Sequence, residues 1–90
     1  MATSIHSDQR PSPIEVWLTQ RNIEITCQVV HEDESTEQLG VDSVSMRGAQ
    51  REITGYLISL GYQPAGRWDW EYHGREPGEG RECSRTFKIR

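Results

Sequence analysis

Lysine is almost absent: nine of the ten basic residues are arginine, and only Lys88 is lysine. Arginine brings a planar fork suited to carboxylates and phosphates, although a GC-rich genome produces the same skew. Cysteine is also scarce, with Cys27 and Cys83 alone, so at most one disulfide can form. Neither these two nor His6, His31 and His73 show a C-x-x-C or H-x-x-x-H spacing, and the ligand patterns of metal sites are missing. There is no G-x-x-x-x-G-K-[ST], and "GREPGEG" does not match a dinucleotide fingerprint. No nucleophile is identifiable with a base to orient it, and the scattered glutamates form no recognisable acid and base pair. The expectation is a protein that is not an enzyme, with no cofactor and no metal. Long apolar runs are missing as well. No stretch approaches the roughly 18 apolar residues that cross a bilayer, and "MATSIHSDQRPSP" lacks the apolar segment of a signal peptide. These absences predict a cytoplasmic protein with reduced thiols and no membrane partner.

What is there amounts to one small domain. Ninety residues sit near the lower end of the range in which a single core holds a fold without staples. A hydrophobic fraction of 33% and a mean hydropathy of −0.77 leave part of the chain to tail and loop. The net charge of −4 is unevenly spread: residues 1–46 hold two basic and eight acidic residues, the remainder eight basic and six acidic. An acidic whole with a sequence pI near 5.3 lacks the field of a strong polyanion binder, while a local basic strip stays open.

Residues 1–13 are polar, contain Pro11 and Pro13, and bury too little apolar surface to offset the entropy of ordering, which predicts a disordered tail. A single α+β domain is expected over 14–90. "IEVWLTQ" places Ile14, Val16 and Leu18 on one face and Glu15, Trp17 and Thr19 on the other. "IEITCQVV" repeats the alternation, with Ile23, Ile25, Cys27 and Val29 inward. The intervening "QRN" has turn character without glycine, so a hairpin and one long bulged strand both fit 14–30. The acidic run "HEDESTE" reads as a solvated turn, or as charge offered to a basic partner. A short strand around Gln38 to Asp42 follows, with Leu39 and Val41 inward.

In "SMRGAQREITGYLISLG", Met46, Ala49, Ile53, Leu57 and Leu60 recur at helical spacing. Ser43 or Ser45 can cap the start, and Gly61 suits the left-handed position after the end. Gly48 and Gly55 within it each cost about 1 kcal/mol relative to alanine. Two further strands, "AGRWDWEYH" and "ECSRTFKIR", are joined by the glycine-rich "GREPGEGR". The order β-β-β-α-β-β predicts an antiparallel sheet of four to five strands with one helix packed on one face.

Trp68, Trp70 and Tyr72 alternate with charged residues and line one face of their strand. A helix of about sixteen residues is roughly 24 Å long and 10 Å wide, enough to cover three or four strands and hardly five. Two readings follow. The row is core, filling area left open by Ala49 and the glycines, or part of it lies beyond the helix and marks an interface. The candidate binding residues are Arg67, Trp68, Trp70, Tyr72, Arg85 and Lys88. Bases stack on aromatics while arginines hold phosphates, so the hairpin 67–90 could take nucleic acid, against which stand Asp69, Glu71, Glu76, Glu79 and Glu82. Ion pairs within the sheet, such as Glu71 with Arg85 or Lys88, are the competing expectation.

The helix followed by "LGYQPAGRWDWEY" and then "CSRTFKI" resembles a pattern in small actinobacterial proteins without assigned function. In that pattern Gly-Tyr-x-Pro-x-Gly-Arg-Trp precedes a terminal Arg-Thr-Phe strand. The resemblance spans residues 45–89 and implies a bacterial cytosolic origin but no functional residue. At the level of helix then hairpin, the chain is also similar to small toxin-antitoxin proteins that bind RNA or DNA. The function expected from all of this is protein–protein interaction or self-association as a homodimer, with nucleic-acid binding as the alternative.

Overall fold

The alternation that opens at Ile14 builds the middle of the sheet. In the computed structural model of the chain, which describes residues 13–72 and 80–90, Ile14–Arg21 is the central strand β1. On one side lie β2, Glu24–Val30, and then β3, Thr36–Leu39; on the other lie β5, Arg81–Ile89, and then β4, Tyr62–Tyr72. Every neighbouring pair is antiparallel. The helix α1, Met46–Ser59, crosses one face against β1 and β4. The result is a two-layer α+β fold with five strands and one helix, as the element order predicts.

Arg21 pairs with Glu24, so β1 and β2 form a hairpin and not one long strand. Asn22 takes φ +57, which asparagine tolerates, and with Ile23 makes a two-residue turn. Ile23 was expected inward; it is instead the tip of this turn and 87% exposed, because both residues of so tight a turn stand outside the ladder. The third strand also shifts, from the expected Gln38–Asp42 to Thr36–Leu39. Pairing resumes almost at once after a turn that the acidic run builds for itself. There the Asp33 carboxylate accepts from the Ser35 amide at 2.9 Å and hydroxyl at 2.6 Å, and His31 Nε2 meets Glu37 Oε1 at 2.9 Å. Leu39 and Val41 still pack against the core, half-buried.

Met46, Ala49, Ile53 and Leu57 are the buried stripe of α1. Ser45 caps the helix, its Oγ accepting from the Gly48 amide at 3.0 Å. Leu60, assigned to the same stripe, is 54% exposed, because the helix ends at Ser59 and Leu60 is its cap. Gly61, at φ +102, then turns the chain into β4.

Leu18 lies at the centre of the core, directly opposite Cys27 on one side and Cys83 on the other. Phe87, Leu18, Met46, Ile53 and Val16 are fully buried, and burying a large apolar side chain contributes roughly 1.5–3 kcal/mol. The opposite sheet face carries Trp17, Thr26, Gln28 and Thr86, with no described element over it. The tail expected over 1–13 lies, except for Pro13, outside the described residues, as do residues 73–79 of the connection between β4 and β5.

Candidate functional site: a cationic and aromatic groove at the sheet edge

β4 is an edge strand of the sheet, and its register decides where the aromatic row points. Pro64 stands opposite Phe87 and Trp70 opposite Cys83, both buried under the helix, so the row faces the helix layer. Between Ala65 and Asp69 the register slips: Gly66, Arg67 and Trp68 oppose the single residue Arg85. Gly66 takes φ +96 in this bulge, a conformation that side chains resist. The Arg85 Nε donates to the Gly66 carbonyl at 2.9 Å and locks the bulge in place.

The two tryptophans have different surroundings. Trp68 is half-buried and packs edge-on against Phe87, with ring centroids 6.4 Å apart and planes at 69°. The Arg85 guanidinium lies 5.7 Å from the Trp68 centroid and 5.8 Å from that of Phe87. Trp70 stands one pair further along, 40% exposed, with the Arg81 guanidinium 5.2 Å from its centroid. Arg81 is held there by its Nε, which donates to Gln20 Oε1 at 2.8 Å. Each expectation for the row therefore holds for one residue: Trp68 is the rim of the core, and Trp70 is surface.

The remaining candidates scatter. Arg67 is exposed on the bulge, and Lys88 is exposed beside Gln63 on the face away from Arg85, because successive strand residues alternate. Tyr72 has its backbone opposite Arg81, and its side chain is outside the described residues. Glu71 faces Glu82 rather than a cation, and no ion pair joins it to Arg85 or Lys88.

What gathers instead is a groove between α1 and the β4–β5 edge, of about 450 Å³. Arg47, Arg51, Thr54 and Ile58 line it from the helix, and Trp68 and Arg85 from the sheet. Exposed Gly55 borders it, and a Cβ there would meet nothing within 4 Å. Gln50 reaches beneath it, its Nε2 donating to Cys83 Sγ at 3.3 Å. Thr54 brings a buried hydroxyl with no hydrogen-bond partner. Sequence reasoning missed this helix stripe. Its signal was present: spacings of four, three and four place Arg47, Arg51, Thr54 and Ile58 on one flank of the core stripe of the same helix.

Nucleophilic chemistry finds no support in the thiols. Burial, with the nearby Cys83 and Glu52 adding to it, pushes the Cys27 thiol up to about 12, and burial likewise raises Cys83. Such thiols stay protonated at neutral pH. Among the described residues no group of three His, Cys, Asp or Glu side chains is placed to hold a metal ion, and no helix is long and apolar enough to cross a membrane. No protein-family model, curated protein or solved structure matches the chain.

Proposed function

We propose that this chain is a non-catalytic interaction module that pairs with a second copy of itself along the β4 edge. The observation that carries the reading is the exposure of Trp70 on an eleven-residue edge strand, past the cover of the helix. Edge strands offer unpaired backbone groups to another strand, and an exposed aromatic beside them adds apolar area. The strand is also self-complementary in charge. Two antiparallel copies centred on Asp69 would set Arg67 of each opposite Glu71 of the other. The two Asp69 carboxylates would then meet across the axis. A bacterial cytoplasm is the setting that the sequence resemblance favours. It also suits Cys27 and Cys83, which are both free and stand two strands apart, about 9–10 Å by strand spacing and beyond disulfide reach.

Sedimentation equilibrium over a wide concentration range tests the reading. The wild-type mass should rise from 10.4 kDa toward twice that value. Trp70→Lys should hold it at the monomer, and Asp69→Asn should tighten the dimer. A wild-type mass that stays at 10.4 kDa at millimolar concentration would sink the proposal. The alternative of an extended nucleic-acid surface along 67–90 has less in its favour, because Lys88 and Arg85 occupy opposite faces and Glu71 and Glu82 stand together.

A further inference from the structure

The groove beside β4 has a use that pairing through the strand edge does not absorb. We infer that it binds a small phosphate-bearing ligand with a planar ring, a nucleotide in chemical class. The phosphate would lie between the guanidinium groups of Arg47, Arg51 and Arg85, and the ring against the wall that Trp68 supplies.

The charge arrangement is the first support. Three arginines line one groove that contains no carboxylate, and among the described residues no acidic side chain pairs with any of them. Two of the three sit where a helix alone disfavours them. Arg47 lies in the first turn, at the positive end of the helix dipole, where no acidic residue offsets it. Arg51 follows at i+4, on the same face, where like charges repel. A bound phosphate turns both liabilities into attraction, and the forked guanidinium matches its oxygens.

The second support is independent of charge. The hydroxyl of Thr54, on the groove-lining stripe, is buried without a partner, an uncommon state for a buried polar atom. A ligand oxygen reached by rotation about its Cα–Cβ bond would satisfy it. Gly55 adds no side chain to the groove border, and about 450 Å³ lies within the range of small-molecule sites. Trp68 is held rigid by Phe87 and Arg85, so its ring is in place before any ligand arrives.

Calorimetric titration of the full chain at low salt tests this with adenosine 5′-monophosphate, inorganic phosphate and an eight-residue oligothymidylate. The monophosphate should bind saturably and more tightly than phosphate. Arg47→Gln and Arg51→Gln, both at exposed helix positions that leave the core untouched, should each weaken it roughly ten- to a hundredfold, the worth of one charge-assisted hydrogen bond. If the oligonucleotide binds no better than the monophosphate, the ligand is a free nucleotide. If it binds more tightly and loses as much in the two variants, the groove takes the phosphate and base of a strand. Phosphate binding as well as the monophosphate would overturn the part given to Trp68. No binding by either nucleotide at millimolar concentration, or affinities unchanged in both variants, would overturn the site. Trp70→Lys leaves the groove lining intact, so failure of self-association and failure of this site can be told apart.

Discussion

Cys27 and Cys83 show how one position in a pattern sets a residue's chemistry. Both fall on the inward phase of their strands, flank Leu18, and are buried to within 1% of full exclusion from solvent. The raised thiol pKa values fix the sign of a pH effect. In the unfolded chain a thiol ionises near 9.0, while in the folded protein Cys27 holds its proton to about 12. Above pH 9 the folded state therefore binds more protons, and stability that is fully present below that pH is lost as pH rises. Between those two values Cys27 contributes a slope of about 1.4 kcal/mol per pH unit, and the raised Cys83 acts in the same direction. Urea midpoints measured from pH 7 to 11 should fall beyond pH 9, and a Cys27→Ala variant should show a shallower fall. At pH 7.5 an aromatic disulfide reagent should leave both thiols unmodified until urea is added. Inward phase was readable from alternation alone; the depth of burial came from the strands on either side.

At the scale of the element, α1 was legible in its core stripe as far as Leu57, in a cap from Ser43 or Ser45, and in its end at Gly61, all of which follow from local backbone chemistry. Its two glycines looked equivalent in sequence, and packing separates them. A Cβ on Gly55 would meet open space, whereas one on Gly48 would stand 3.1 Å from Ser43 and from the Ser45 hydroxyl that caps the helix. Gly55→Ala should raise stability by about 1 kcal/mol, and Gly48→Ala should gain little or lose stability. Thermal melts of the two variants beside the wild type make the comparison, and equal gains would show that the cap tolerates crowding. The approach to α1 is tied by Glu52. Its carboxylate accepts from the Asp42 and Ser43 amides and the Ser43 hydroxyl at 2.9–3.2 Å, and these bonds hold its carboxyl below the usual range. That support is present above the ordinary glutamate pKa and fades as pH falls through the lowered one. Nothing in the ten-residue separation of Asp42 and Glu52 announces it.

At the scale of the whole molecule, Phe87 joins the parts. It lies opposite Ile14 in β1 and Pro64 in β4, packs on Trp68, and is wholly buried. Phe87→Ala should cost about 3–5 kcal/mol, against about 5–15 kcal/mol of stability for an ordinary domain. Urea unfolding followed by tryptophan emission reads that loss. A cost near 1 kcal/mol would mean that Trp68 collapses into the gap. The same architecture leaves β3 and β4 as the two edges, and they differ. β3 is four residues long and lined with Glu37 and its neighbouring acidic turn, a guarded edge. β4 has eleven residues and an exposed tryptophan, which is why self-association is proposed there.

By itself the sequence determined the kind of each element, the face that each strand buries and the α+β class, because alternation and helical spacing are properties of neighbouring residues. It also determined that a serine, Ser43 or Ser45, caps the helix and that Gly61 takes its left-handed end. Tertiary structure alone decided that Trp68 closes the core while Trp70 stands at the surface. Both have the same phase in the same strand, and their difference arises from how far along β4 the core and helix layer reach. It also decided that Arg47 and Arg51 share a groove with Arg85. Those residues are more than thirty positions apart, and only the antiparallel return of β5 beside the bulge of β4 brings them together.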